Sequence, residues 1–359
     1  MILDLSGYMF SGKASVSDIL SEFDNIYIPN NRDEFDLLRV GGGLIDLKNA
    51  IDDWSPIRTN SAIKRFEKTI SRLSRHVKFS NSFLNIGWAY NNRYPNIEAH
   101  TKLFISEITQ IEWETPWPYD LLEIESTQIF KTRIEDFKKT KWSAIKFLVK
   151  IIDYLYKKII LENSLDYKQS QEFKYKLSVN VEYFTIAAQK YISNILWEEV
   201  DENIYKILVT HNALEPFNPA RNLDLLGPNA KSIVVSRDPR DIYVTALTHQ
   251  VGFNDNVEFY KKIIGASNIG TFIKRYNTYQ NNIVTSNNVL RLKFSDIILN
   301  YENTLNLICD FINIDKSHHI NKHIKFNPVE SAKNLNMWMN PDFDFLNKDF
   351  NKIECECCK

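Results

Sequence analysis

The order of apolar and polar positions divides the chain into three regions. At the start, Ile2-Leu3-Asp4-Leu5 reads as a short buried strand, SGYMFSGKAS as a turn, and Val16, Ile19, Leu20 and Phe23 as one face of a helix. From about Asn60 to Glu199 the pattern is helical. Ile63, Phe66, Ile70, Leu73 and Val77 share one face, and so do Ile145, Leu148, Ile152, Leu155 and Ile159. The intervening WETPWPYD reads as a loop, and the Lys146, Lys150, Lys157 and Lys158 face of the second helix as solvated. After residue 199 strands return: Ile204 to Thr210, Ile233 to Ser236 and Val289 to Phe294, with helical stretches between them. This order predicts an α/β fold, a P-loop-type parallel sheet flanked by helices. It forms a single domain over residues 1–345 with a large helical insertion at about 60–199, followed by a tail at 346–359.

Composition narrows the class. With 359 residues, 44% hydrophobic and 25% charged, the chain can bury a large core unaided, and a formal net charge of −1 gives no general field for nucleic acid. No apolar run reaches the roughly 20 residues of a membrane span, and the N-terminus lacks the layout of a secretory leader. Cys309 sits in a helical pattern, while Cys355, Cys357 and Cys358 crowd the end without CxxC spacing. That layout fits reduced thiols and an exposed tail better than a soft-metal site shared with His318, His319 and His323. A cytoplasmic protein is expected, with no membrane span and no metal. The pattern leaves the oligomeric state open.

Two stretches carry chemistry. Gly7-Tyr8-Met9-Phe10-Ser11-Gly12-Lys13-Ala14 fits GxxxxGK between a strand and a helix, where backbone N–H groups, a helix N-terminus and a lysine surround a phosphate. The hydroxyl that would hold Mg²⁺ after the lysine is replaced by Ala14, with Ser15 one position late, and the strand Ile233-Val234-Val235 ends in Ser236-Arg237 rather than a metal-binding Asp. This is a phosphate loop without metal handles. In the second stretch, Ser232 to Thr245, a strand delivers Arg237, Pro239 opens a helix, and Thr245 lies two turns on, facing the same side as Arg237. A guanidinium fork and a hydroxyl so placed can hold a terminal phosphate.

The Arg237-Asp238-Pro239-Arg240-Asp241 run followed by Thr245 resembles the 3'-phosphate motif of the sulfotransferase superfamily. The resemblance covers roughly residues 1–35 and 204–338. It implies a sulfuryl donor, 3'-phosphoadenosine 5'-phosphosulfate (PAPS), leaving adenosine 3',5'-bisphosphate (PAP). It also implies that Ser11, Gly12, Lys13, Ala14 and Ser15 form the 5'-phosphosulfate loop and that Arg237 and Thr245 hold the 3'-phosphate. Leu290 to Ile297 looks like the family's late strand and helix. Ser331 to Trp338 looks like its C-terminal cofactor loop, which adds Lys333 as a phosphate contact and Trp338 as a closing side chain, with Asn336 at the usual glycine position. The loop departs from the common Lys-Ser-Gly-Thr form, so Lys13 is expected to take the missing lysine's role.

Two residues compete as general base for an acceptor hydroxyl. His211 ends a strand, where parallel sheets present catalytic groups, and Thr210-His211 resembles the Lys-Thr-His of cytosolic sulfotransferases, with Val209 in the lysine's place. Glu34, followed by Phe35, resembles the glutamate of heparan-type sulfotransferases. The expected acceptor is a saccharide or small alcohol. A P-loop kinase or triphosphatase, and a non-catalytic nucleotide-binding protein of the same fold, are the alternatives.

Overall fold

A computed structural model describes residues 1–29, 34–74, 89–114, 150–151, 154, 174–178, 181–248, 261–262, 264–346 and 349. The chain divides into two compact units: residues 1–36 with 199–359, and the intervening 37–198.

The first unit is built on a five-stranded sheet. Its strands are β1 (Ile2–Gly7), β2 (Ile26–Tyr27), β5 (Ile207–His211), β6 (Lys231–Ser236) and β7 (Val289–Lys293), in the order β2-β5-β1-β6-β7. Every pairing is parallel. Parallel neighbours require crossovers, so both faces of the sheet are covered, and central β1 is buried at all six positions. One face carries Leu3, Leu5, Ile207, Val209, Ile233, Val235 and Leu292 into a core shared with helices α1 (Lys13–Leu20), α8 (Phe294–Leu299) and α9 (Tyr301–Ile312). Alternation sends Asp4, Ser6, Thr210 and Ser232 to the opposite face, also buried, with Asp4 level with Thr210 on one side and Ser232 on the other. A second core joins α6 (Pro239–Thr248) to α7 (Ile269–Gln280) through Ile242, Tyr243, Val244, Phe272 and Tyr276.

The strands follow the expected pattern with shifted ends. Residue 204 ends a turn, so β5 begins only at Ile207, and Phe294 starts α8 instead of finishing β7. The late helical run breaks at Asn300, whose non-helical φ of −124° separates α8 from α9.

The second unit contains α2 (Leu44–Asp52), α3 (Pro56–Ser74), α4 (Ile97–Ile108) and α5 (Val181–Trp197). The predicted stripe of α3 is buried at Ile63, Phe66, Ile70 and Leu73. Phe66, Phe104, Phe184 and Tyr191 pack ring against ring, with the Tyr191 hydroxyl 2.7 Å from Thr101 Oγ1. Trp113 and Glu114, read as opening a loop, instead end strand β3 (Ile111–Glu114), which pairs antiparallel with β4 (Lys174–Leu177). The partner lies about sixty residues away in sequence, so no local pattern marks the pairing. The rest of that loop, Val77, most of the second predicted helix and the cysteine tail lie outside the described residues. Among the described residues no helix is long and apolar enough to cross a membrane.

Candidate active site

The candidate phosphate loop leaves the C-terminal end of β1 and turns through two tight positions. A Cβ on Gly7 would lie 2.2 Å from Ser11 Oγ and 3.0 Å from the Val235 carbonyl oxygen, so only glycine lets the returning loop approach. Gly12 caps α1 at φ 88°, and a Cβ there would strike the Phe294 ring at 2.3 Å. Phe10 also adopts a positive φ, 61°, which an L-residue does not take freely. Tyr8, Met9 and Phe10 pack against the α6–α7 core, which supplies the holding force. The loop thus closes on itself through Ser11 N–H to the Tyr8 carbonyl (2.9 Å) and opens into α1 at Lys13. The first amides of α1 have no partner within the helix, and its dipole favours negative charge there. Ala14 is exposed, and the buried Ser11 Oγ has no hydrogen-bond partner.

On one side of the loop Lys13 Nζ lies 3.3 Å from Glu34 Oε1. Glu34 reaches this point because its backbone bridges to His211 at the end of β5, with Phe35 N–H donating to the His211 carbonyl at 2.9 Å. Asn212 Nδ2 donates to the same Glu34 oxygen, and Asn212 Oδ1 accepts from Gly7 N–H at 3.2 Å. The His211 side chain itself is buried, 2% exposed, with Nε2 3.1 Å from Ser17 Oγ on α1.

On the other side lies Arg237, 7% exposed. Nη1 donates to the Phe10 carbonyl and to Thr245 Oγ1, each at 3.1 Å, and Nη2 donates to the Asn334 carbonyl at 2.5 Å. The guanidinium lies over Phe294, 5.2 Å from the ring centroid, and its buried Nε has no partner. Burial lowers the Arg237 pKa, opposed by the charges of Asp241 and Asp238. Asp238 caps α6 by accepting from Arg240 N–H at 2.8 Å and pairs with the Arg240 guanidinium, which stacks 3.8 Å from the Trp338 ring centroid. Asp241, 1% exposed, accepts from the backbone N–H groups of Asn336 (3.0 Å) and Trp338 (3.4 Å). Burial raises its pKa, while Arg237 and those two amides act the other way.

The five-residue run therefore splits its labour. Arg237 joins the Phe10 carbonyl to the Asn334 carbonyl, while Asp241 and Arg240 hold Asn336 and Trp338. Asn336 takes the left-handed conformation, φ 55°, that the usual glycine would supply. Lys333 is exposed on the single turn Ala332–Asn334, and the Asn334 carbonyl, not the lysine, reaches Arg237. Asn212, Asp4 and Met337 belong to no motif read in the sequence. Asp4 Oδ1 accepts from Ala213 N–H at 2.8 Å and Thr210 Oγ1 at 3.3 Å, and burial raises its pKa against those bonds and the charge of Lys13. Only an acidic residue inside an otherwise apolar strand pattern hinted at it. His318 and His319 are engaged by Asp24 and Glu22, at 2.8 and 2.7 Å. Among the described residues no group of three or more His, Cys, Asp or Glu side chains could hold a metal ion.

A family model described as the sulfotransferase domain matches residues 123–350, nearly two thirds of the chain. The chain belongs to the sulfotransferase family, and its general chemistry is sulfuryl transfer. The match includes Arg237, Thr245 and the Asn334–Trp338 segment, and it takes in the later part of the helical middle, where residues alone showed no likeness. It starts after the phosphate loop and Glu34. Among solved structures, the sulfotransferase domain from the Synechococcus PCC 7002 olefin synthase aligns over 97% of this chain and 92% of its own, at 10% identity and a TM-score of 0.37. No curated protein matches.

Proposed function

We propose that this sulfotransferase uses PAPS as donor, binds its 5' end on the phosphate loop and its 3'-phosphate at Arg237 and Thr245, and uses Glu34 as general base toward an acceptor hydroxyl. The carrying observation is that one loop is flanked by both functions: Lys13 meets Glu34 on one side, and Arg237 grips the Phe10 carbonyl on the other. The residues fit an anionic ligand, because Ser11 Oγ and Arg237 Nε are buried donors without partners and the N-terminus of α1 carries no side-chain cap. When bound, the donor supplies a sulfuryl group whose bond to the phosphate oxygen breaks as one to the acceptor oxygen forms. Glu34, 44% exposed, receives the hydroxyl proton, while Lys13 and the loop amides face the charge left on the phosphate. The geometry supports His211 less, since its ring is enclosed against Ser17. Lys333 and Trp338 would close the donor site from the C-terminal loop. A saccharide or small alcohol as acceptor, and work in the cytoplasm, belong to the same reading. Buried, unbridged Cys309 fits a reducing compartment.

Calorimetry of PAP against ADP without metal tests the donor assignment. Arg237 supplies charge-assisted bonds worth about 1.5–3 kcal/mol each, so PAP should bind at least tenfold tighter than ADP, and Arg237→Ala should erase that margin. Preference for ADP, or binding only with Mg²⁺, would overturn the assignment in favour of a kinase or triphosphatase.

A further inference from the structure

The general-base reading leaves open how a half-exposed glutamate is held in one orientation, and the answer lies in a residue with no assigned role. We propose that Asn212 positions the Glu34 carboxylate against the phosphate loop, acting as a carboxamide relay between Gly7 N–H and Glu34 Oε1. This rests on the reading of Glu34 as the base. Asn212 is 6% exposed, and its two side-chain polar atoms are used in opposite directions: Oδ1 accepts from Gly7 N–H at 3.2 Å, and Nδ2 donates to Glu34. A primary carboxamide accepts at one end and donates at the other in one plane. Aspartate would meet Glu34 with a second negative charge, and a hydroxyl cannot span both partners.

The backbone is committed to this placement. Asn212 sits at φ 48°, a conformation that asparagine tolerates better than most L-residues. Its N–H donates to the Leu5 carbonyl at 2.8 Å, and the next amide, Ala213 N–H, is fixed by buried Asp4 at 2.8 Å. The turn after β5 is therefore clamped to β1, the strand that feeds the phosphate loop. Donor loop and base are registered through one side chain, which brings the acceptor oxygen into line with the donor. A negative Glu34 also polarises the carboxamide and strengthens its acceptance from Gly7 N–H.

Asn212→Gly keeps the positive φ and removes the relay, whereas Asn212→Asp keeps the acceptor for Gly7 and removes the donor to Glu34. PAP release from PAPS is followed with methyl glucoside and phenol as probe acceptors, together with PAP affinity and the Gly7 amide resonance. The expected result is a kcat reduced about ten- to a hundredfold in both variants, with PAP affinity within about twofold of wild type. Glu34→Gln should cost on the order of a hundredfold or more, and adding Asn212→Gly to it should cost nothing further. In the ligand-free protein Glu34→Gln should shift the Gly7 amide resonance, and in the Asn212→Gly background that response should vanish. If Glu34→Gln leaves kcat unchanged, the base reading falls. If Glu34→Gln is inactive but Asn212→Gly is fully active, or the two losses multiply, or the Gly7 response persists without the carboxamide, the positioning role alone is overturned.

Discussion

Arg237 shows how much one side chain can organise: from the end of β6 it touches the phosphate loop, α6 and the C-terminal loop at once. Its planar fork makes those contacts simultaneously, which a lysine ammonium cannot. Arg237→Lys should therefore lose most of the PAP affinity despite keeping the charge, at least tenfold by calorimetry. Asn336 is a second single-residue constraint. Its φ of 55° turns the chain so that its own N–H and that of Trp338 both reach Asp241. Asn336→Gly should be tolerated, whereas Asn336→Ala should cost about 1 kcal/mol in urea unfolding through left-handed strain. The motif residues were legible in sequence because their spacing is local: strand, arginine, proline, then a hydroxyl two helical turns on. Asn212 was not, because its partners lie 205 and 178 positions away and nothing beside it in the chain marks them.

Between elements, the end of α1 is stapled to the stretch that precedes the segment Ser331–Trp338. Buried Glu22 accepts from Lys325 N–H at 2.8 Å, Phe326 N–H at 2.9 Å and His319 Nε2 at 2.7 Å, and His319 stacks on Phe23. Burial alone would raise the Glu22 pKa, but these donors together hold it below its ordinary 4.5. A depressed folded pKa gives stability that is present in full above the unfolded value and lost as pH falls through the folded one. Glu22→Gln should thus be destabilised at pH 7 by about 1–3 kcal/mol, and its deficit against wild type should shrink below about pH 4.5 in denaturant titrations. A deficit independent of pH would mean that shape, not charge, makes the staple. The helix itself was readable from Val16, Ile19 and Leu20. Its tie to residues 318–326 was not, since a glutamate two residues past a helix looks solvated until the chain returns to it.

Across the whole chain, the parallel sheet was legible because buried strands and helical stretches alternate after residue 199, and the β3–β4 ladder was not, because its halves are separated by a long stretch. Arg237 also makes a prediction at this scale. The proposed phosphate loop follows β1, the proposed 3'-phosphate pair follows β6, and the segment Asn334–Trp338 follows α9, so a ligand at Arg237 would bind parts of the chain more than 300 residues apart. A ligand that binds only where these parts are assembled adds RT ln(1 + [L]/Kd) to the stability of the fold, about 2.7 kcal/mol at a hundredfold excess over Kd. PAP at that excess should raise the denaturant midpoint of the wild type accordingly. Arg237→Ala at the same PAP concentration should show little of that rise while unfolding cooperatively on its own. Equal stabilisation of both proteins would mean that PAP binds away from Arg237, and the site would have to be sought elsewhere on the sheet.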